Sequence, residues 1–242
     1  MSLADVQALT FDTGGTVLDW HRGFKGAFHR VGMRHGVERD WSSLTNELRR
    51  RSMQRMLNAG EQHPPSQNMD GVHREVLDAL LDEAGLGCFS DADRHHIAYD
   101  APHAFECWTG FDEMLEALRG NFMVASFSIL SYRMILDTAK HNRLNWDAVF
   151  SCEGLGKYKL LPQAYLTVAE YLQLQPEQCC MVACHEYDLD AARAVGFKTA
   201  YLHRPEEWGP DTPPPLPTAP DIVAESHAQL LDALTIGHRG AA

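Results

Sequence analysis

A carboxylate followed by two glycines stands near the start of the chain, directly after an apolar run. The run covers residues 6–11, Asp12 comes next, and Gly14 and Gly15 follow shortly afterwards. Glycines permit a tight turn and a close approach of the backbone to a ligand. On its own, this short segment fits a catalytic carboxylate and a turn-capping aspartate equally well.

Three more polar residues stand near other apolar runs. Ser128 follows the run at 122–126, Asp188 follows the run at 180–183, and Lys159 precedes a predicted helix that starts near Pro162. Each has a simple alternative explanation, as a turn serine, a helix N-cap or a solvated lysine. Together they suggest one site, because ligands of open α/β sheets bind at the carboxyl ends of the strands.

The elements that must position these residues alternate along the chain. Short apolar runs predict strands at residues 6–11, 122–126, 148–151, 180–183, 198–202 and 221–223. Helical periodicity appears at residues 111–118, 162–174, 188–195 and 226–234. Continuous apolar strands that alternate with amphipathic helices are typical of a parallel sheet covered on both faces. We therefore predict a doubly wound α/β core with the first strand in a central position.

A helical insertion interrupts this alternation after the first strand. No second strand is predicted for about a hundred residues, and the interval contains helical patterns at residues 43–59 and 70–84. Gly85 suits the left-handed position at the end of the second pattern. We predict a core at residues 1–17 and 106–242 and a helical cap at residues 18–105. The proline-rich stretch at residues 210–220 is predicted to be a loop.

The composition excludes some classes of function. The chain has 242 residues and a formal net charge of −12, which argues against a nucleic-acid-binding protein. The apolar runs are too short to span a bilayer, and the first residues lack the pattern of a signal peptide. The six cysteines show no spacing typical of a zinc site. We expect reduced thiols and a cytoplasmic location.

The order of these four residues along the chain, and the sequence around them, resemble the motifs of the haloacid dehalogenase superfamily. The resemblance is strongest to its type II 2-haloacid dehalogenases. The resemblance rests on the stretches MILDTAKHNRLNWDAVFSCEGLGKYK, MVACHEYDLDAARAVGF and HRPEEWGP. It implies a Rossmann-like core with a helical cap. It also implies that Asp12 is the nucleophile and that Lys159 pairs with it. Asp188 would be the acidic residue of the last of the four motifs of this superfamily. Thr16 and Ser128 would be polar pocket residues.

Two positions distinguish dehalogenases from the phosphatases of this superfamily. The phosphatases of this superfamily typically carry a DxD motif, and its second aspartate protonates the leaving oxygen. In this chain Gly14 occupies the position of that second aspartate. Their Mg²⁺ is usually held by an acidic residue four positions before the place of Asp188, where this chain has Cys184. A thiol is a poor ligand for a hard cation. We therefore expect carbon–halogen chemistry without a metal or another cofactor.

The resemblance also implies how a haloacid would be bound and hydrolysed. Asp12 would attack the carbon that bears the halogen, and water would then hydrolyse the aspartyl ester. Asp188 would orient or deprotonate that water. His185 would be either an alternative base or a donor that holds Asp188. Within the basic run on the predicted cap helix, Arg49 best matches the family's anion-binding arginine.

Three departures from the dehalogenase pattern concern the substrate pocket. Gly14 replaces a frequent aromatic residue, Ile129 replaces a frequent asparagine, and Leu160 and Leu161 follow the lysine where Pro-Asp is common. The expected partner is a small anionic substrate, and the chain is expected to be a monomer or a homodimer. A magnesium-dependent phosphatase and a non-catalytic binding protein with this fold remain alternatives.

Overall fold

The structure, a computed structural model, describes residues 3–58, 68–210 and 215–239. Its centre is one six-stranded sheet with the order β3-β2-β1-β4-β5-β6. The strands are β1 Ala8–Phe11, β2 Met123–Ser128, β3 Ala148–Ser151, β4 Cys179–Ala183, β5 Lys198–Leu202 and β6 Ile222–Ala224. All neighbouring strands are parallel. The predicted parallel sheet with a central first strand is confirmed.

Helices fill the interval between β1 and β2. They are α1 Trp20–His35, α2 Trp41–Asn58, α3 Met69–Glu83 and α4 Asp91–His95, and a π turn at His96–Asp100 follows. On α3 the predicted apolar face is buried, and Gly85 beyond its end has a φ of +69°. Helix α1 was not among the predicted patterns. Its buried face is built from aromatic and small residues, and Asp19 caps its N-terminus by accepting a hydrogen bond from the Arg22 N–H at 3.0 Å.

Six further helices follow in the second part of the chain. They are α5 Phe111–Arg119, α6 Tyr132–Asn142, α7 Cys152–Leu155, α8 Pro162–Tyr171, α9 Glu186–Ala194 and α10 His227–Arg239. Every residue of β1 is buried, because helices cover the sheet on both faces. Residues 59 and 211–214, which belong to the predicted helix at 43–59 and the predicted loop at 210–220, lie outside the described residues. No helix in the described ranges has both the length and the apolar composition that crossing a membrane requires.

The carboxyl ends of three strands lie side by side. Phe11 at the end of β1 is in register with Ser126 of β2 and Val182 of β4. Asp12 follows Phe11 directly, and the chain then makes a tight turn in which the Leu18 N–H donates to the Thr13 carbonyl oxygen at 3.0 Å. This topology brings the ends of β1, β2 and β4 to one edge of the sheet.

The chain leaves the sheet for helices α1–α4 beside the point where it returns. The Trp108 N–H donates to the Val17 carbonyl oxygen at 3.0 Å, and the Asp19 N–H donates to the Glu106 carbonyl oxygen at 2.9 Å. The two connections therefore form a short pair of hydrogen-bonded segments. They coincide with the predicted boundaries at residues 17–18 and 105–106, although the division into a core and a cap remains a prediction.

Candidate active site

Three of the predicted catalytic residues meet at the carboxyl edge of the sheet. Lys159 Nζ lies 3.0 Å from Asp12 Oδ1 and 2.5 Å from Asp188 Oδ2, and all three side chains are buried. Asp12 follows β1, Lys159 precedes α8, and Asp188 lies in the first turn of α9. A single ammonium group thus joins two carboxylates that come from different parts of the chain.

The charges around Asp12 keep it ionised. Burial alone would raise the pKa of the Asp12 carboxyl, but Lys159 and His185 hold this pKa well below its ordinary value of 3.8. Burial would lower the pKa of Lys159, and the two carboxylates raise it above its ordinary value instead. Asp12 is therefore a carboxylate, and Lys159 an ammonium, throughout the neutral pH range.

Asp188 has a second partner that sequence reasoning missed. The Tyr165 hydroxyl on α8 donates to Asp188 Oδ1 at 2.5 Å. Burial, together with the neighbouring Asp12 charge, raises the pKa of Asp188, while Lys159 opposes this shift. Tyr165 is fully buried in an otherwise apolar helix face. A tyrosine on such a face needs a hydrogen-bond partner for its hydroxyl. This need is the one signal in the sequence that could have identified Tyr165 as a residue of the site.

The other carboxylate oxygen of Asp12 has two different polar partners. The Thr16 hydroxyl donates to Asp12 Oδ2 at 2.8 Å, and His185 Nδ1 lies 3.2 Å from the same oxygen. The Cys184 N–H donates to Thr16 Oγ1 at 2.9 Å, which leaves the hydroxyl proton free to point at Asp12. The structure thus places Thr16 and His185 directly on the predicted nucleophile.

His185 forms an ion pair with Glu207, a residue that the sequence analysis did not single out. Its Nε2 lies 2.9 Å from Glu207 Oε1, and Trp20 Nε1 donates to that oxygen at 2.9 Å as well. Burial alone would lower the pKa of His185, but Cys184, Glu207 and Asp12 raise it well above its ordinary value. His185 is therefore an imidazolium that lies between the carboxylates of Asp12 and Glu207. One of the two predicted roles required His185 to hold Asp188. Among the described residues, no hydrogen bond or ion pair joins these two side chains.

Gly15 is what allows Glu207 to approach His185. Its φ is +107°, and a Cβ atom built on it would collide with Glu207 Oε1. Glu207 lies in the loop after β5, 22 residues beyond His185 and far from Gly15 in the sequence. Although Glu207 belongs to the HRPEEWGP stretch, its distance along the chain gave no sign that it would reach the imidazole.

Arg49 is the one member of the basic run on α2 that enters the site. It is 4% exposed, its Nη2 donates to the Gly14 carbonyl oxygen at 2.9 Å, and its guanidinium lies 5.3 Å from the ring centre of Trp20. Its neighbours Arg50 and Arg51 pair with glutamates outside the cleft. A Cβ atom at Gly14 would lie 3.1 Å from Arg49 Nη2, so Arg49 occupies the space next to this glycine.

A small cleft opens beside Asp12. Its volume is about 350 Å³ including its open mouth, and its walls combine polar and apolar side chains: Asp12, Gly14, Arg49, Met53, Leu57, Ser128, Ile129, Leu130, Lys159, Leu160, His185, Tyr187 and Asp188. The predicted pocket residues Ser128 and Ile129 both line it. Leu160 has a left-handed backbone with a φ of +74°, which turns the chain sharply after Lys159.

The side chains nearest to Asp12 do not fit a resident metal ion. Ligand atoms of Asp12, Cys184 and His185 lie within 4.8 Å of one another. A metal would need a neutral imidazole and a thiolate, yet His185 already directs both nitrogens at carboxylates, and burial raises the pKa of the Cys184 thiol. Between Asp12 and Asp188, the position of a bridging cation is taken by Lys159 Nζ.

Comparison with known proteins gives a consistent result. The family of haloacid dehalogenase-like hydrolases matches residues 6–196. The crystal structure of an L-2-haloacid dehalogenase is similar at 30% identity over 96% of this chain and 99% of that protein, with a TM-score of 0.88. A defluorinating L-2-haloacid dehalogenase is 31% identical over 95% of both chains, also with a TM-score of 0.88. The (S)-2-haloacid dehalogenase 1 of Pseudomonas sp. (strain CBS-3) is 25% identical over 84% of this chain and 88% of its own length. This chain belongs to the haloacid dehalogenase-like hydrolase family.

Proposed function

We propose that this enzyme hydrolyses the carbon–halogen bond of a small 2-haloacid through an ester on Asp12, without a metal ion. The observation that carries the proposal is the composition of the cleft beside Asp12. A 2-haloacid has a carboxylate at one end and an apolar halogen-bearing carbon next to it. The Arg49 guanidinium suits an anion, and Ile129, Leu130 and Leu160 form an apolar wall for the rest of a small molecule.

The first step needs an ionised nucleophile and no acid. A carboxylate oxygen of Asp12 attacks the substituted carbon, the carbon–halogen bond breaks, and halide leaves with the bonding electrons. Halide departs without a proton, so the lack of an acidic side chain at Gly14 is no obstacle to this reaction. A phosphatase would lack the proton that its leaving alkoxide requires.

The second step hydrolyses the ester. Water attacks the carbonyl carbon of the Asp12 ester, and Asp188, whose pKa is raised by burial, accepts a proton from it. The hydroxy acid leaves with the oxygen that came from Asp12, and one oxygen of water stays in the regenerated carboxylate. Over the whole cycle, one proton is released for each halide.

Similarity to other proteins supports this substrate class. Two of the similar structures are named L-2-haloacid dehalogenases, and the Pseudomonas protein is named for the (S) configuration. We therefore propose the (S) enantiomer as the preferred substrate. We also propose that residues 18–105 act as a cap, because Arg49 on α2 faces Asp12 on the core across the cleft.

The test is a halide-release assay with the purified protein after treatment with EDTA. The substrates are chloroacetate, bromoacetate and both enantiomers of 2-chloropropionate, and p-nitrophenyl phosphate with millimolar Mg²⁺ is assayed in parallel. We expect that EDTA leaves halide release unchanged, because Lys159 already balances the charge of Asp12. We also expect that the (S) enantiomer is preferred. Phosphate release that depends on Mg²⁺, without halide release, would replace this proposal with a phosphatase.

A further inference from the structure

The two oxygens of Asp12 are not equivalent. Within the described residues, Oδ2 accepts a hydrogen bond from Thr16 Oγ1 and lies 3.2 Å from His185 Nδ1, its ion-pair partner, while Oδ1 accepts one hydrogen bond from Lys159 Nζ. Oδ2 is therefore the more enclosed oxygen, with a hydroxyl donor and an imidazole as partners, whereas Oδ1 has one donor and keeps a lone pair for attack. In the proposed reaction Oδ1 attacks carbon, and Oδ2 becomes the carbonyl oxygen of the ester.

We propose that His185 is a catalytic residue, which forms with Thr16 an oxyanion hole for the hydrolysis of the Asp12 ester. The inference rests on the proposed function and adds to it the residues that stabilise its second transition state. When water attacks the ester carbonyl carbon, the carbonyl π electrons move onto Oδ2. The negative charge then faces the Thr16 hydroxyl and the N–H of an imidazolium, in a buried site where such donors are most effective.

The bonds and protons of this step balance. Water forms a bond to the carbonyl carbon and gives one proton to Asp188. When the tetrahedral intermediate collapses, the electron pair on Oδ2 restores the carbonyl and the bond from carbon to Oδ1 breaks. The departing oxygen takes a proton from Asp188, and the second proton of the former water goes to solvent. His185 keeps both of its protons throughout, so it acts as an electrostatic donor and not as a base.

The surroundings of His185 fix it in this role. Glu207 Oε1 holds the opposite ring nitrogen and is itself held by Trp20 Nε1. The Glu207 carboxyl stays ionised, because the His185 charge lowers its pKa although burial would raise it. A donor that is oriented and charged before the reaction needs no rearrangement when the oxyanion forms.

An imidazolium at Oδ2 affects the two chemical steps in opposite ways. Before alkylation it stabilises the carboxylate and so weakens the nucleophile. After alkylation the ester is neutral, and the charge returns to Oδ2 only as water attacks. Removal of the His185 charge should therefore slow ester hydrolysis and leave alkylation unchanged or faster. A residue needed only for structure would impair both steps.

The decisive experiment compares His185→Gln with the unmodified enzyme by rapid-quench measurement of halide and by intact-protein mass spectrometry. Glutamine can donate a hydrogen bond but carries no charge. We expect kcat to fall by about 10²–10³-fold, the usual effect of losing one oxyanion donor. Halide should appear in a burst of one equivalent per site, with accumulation of the Asp12 ester. The exposed His29→Gln serves as the matched control and should show neither effect.

Glu207→Gln provides a second route to the same result. It leaves His185 in place but removes the carboxylate that supports its charge, and we expect a smaller fall in kcat with the same accumulation of ester. The inference is wrong if folded variants keep kcat, or if kcat falls without a halide burst and without ester. If the unmodified enzyme itself releases no halide from any haloacid, the proposed function fails instead, and this inference fails with it.

Discussion

At the scale of single residues, the position of Lys159 determines the chemistry of the site. Its Nζ contacts both Asp12 and Asp188, so the ammonium balances the charge of the proposed nucleophile and also orients the carboxylate to which we assign the water. A lysine is a fixed charge, whereas a metal ion would also bind the oxygen that has to attack. Asp12, the proposed nucleophile, is therefore ionised without a metal ion bound to it.

Replacement of Asp12 by asparagine should abolish halide release, because an amide oxygen is a far weaker nucleophile than a carboxylate. Circular dichroism should show an unchanged fold. In a single turnover of the unmodified enzyme in ¹⁸O-water, mass spectrometry should find the label in the peptide that contains Asp12. Label in the first hydroxy acid released would mean that water attacks the substrate carbon directly. Asp190→Asn, at an exposed surface pair with Arg193, is the control.

Replacement of Arg49 by glutamine should lower kcat/KM for haloacids by about tenfold to a hundredfold, the range expected for loss of a charge-assisted hydrogen bond. Arg50→Gln is a close control, because the neighbouring side chain on α2 is 60% exposed and pairs with Glu47. Equal effects of the two substitutions would show that the positive charge of α2 matters in general, and that Arg49 has no special place in the cleft.

At the scale of elements, a buried histidine joins helices from both parts of the chain. His103 Nδ1 lies 2.8 Å from Asp137 Oδ2 on α6, and its Nε2 lies 3.3 Å from Asp70 Oδ1 on α3. Asp70 also accepts a hydrogen bond from the Ser131 hydroxyl at 2.7 Å. These contacts hold the first turn of α3 against the start and middle of α6.

The pH dependence of this junction follows from the pKa shifts. Burial would lower the pKa of His103, but Asp70 and Asp137 raise it, so its contribution to stability is complete below pH 6.5 and is lost as the pH rises through the raised value. The pKa values of Asp70 and Asp137 are lowered, so their contribution is lost as the pH falls below about 4. The junction is strongest between these limits.

The substitution His103→Gln should therefore lower the free energy of unfolding by about 1.5–3 kcal/mol at pH 6, the range for hydrogen bonds to charged groups, and by less at pH 9. Urea denaturation at the two pH values measures this difference. His141→Gln removes a more exposed ion pair with Glu106 and should have little effect at either pH. A loss of stability that is the same at pH 6 and pH 9 would contradict the assigned charge of His103.

Periodicity predicted the strands and most helices, but not all of the contacts at the site. The runs at 148–151 and 198–202 match β3 and β5, whose buried residues are mainly apolar. Asp12, Lys159 and Asp188 were found because they follow or precede such elements. Glu207 and Tyr165 were missed. The path of the loop after β5 brings Glu207 to His185, and the rotation of α8 about its axis brings Tyr165 to Asp188. Neither leaves a local pattern in the sequence.

At the scale of the whole molecule, one apolar core runs through both parts of the chain. Buried residues of α1 and α3, such as Phe24 and Leu77, belong to the same continuous cluster as Phe11 and Phe127 of the sheet. Phe24 packs edge-on against Phe105, at the end of the inserted segment, with 4.9 Å between ring centres. The helical insertion is thus not separated from the sheet by a polar layer.

We therefore expect the protein to unfold in a single cooperative transition, because loss of either part exposes apolar surface of the other. Far-UV circular dichroism follows all helices, and tryptophan fluorescence follows residues in both parts, including Trp41 on α2 and Trp146 before β3. The two signals should give the same midpoint in urea. Two separate midpoints would show that helices α1–α4 unfold independently of the sheet.

The contact between Gly15 and Glu207 has a consequence for how such enzymes diverge. A side chain at position 15 would collide with the Glu207 carboxylate where it now lies, and the φ of Gly15 is +107°, so position 15 is restricted to glycine while Glu207 keeps this place. A lineage that acquires alanine at position 15 would have to move or lose the Glu207 carboxylate, and with it the ion pair to His185. Gly15, Glu207 and His185 together thus form a sequence signature. A search for all three would separate related proteins that keep a charged histidine beside the proposed nucleophile from those that have replaced it.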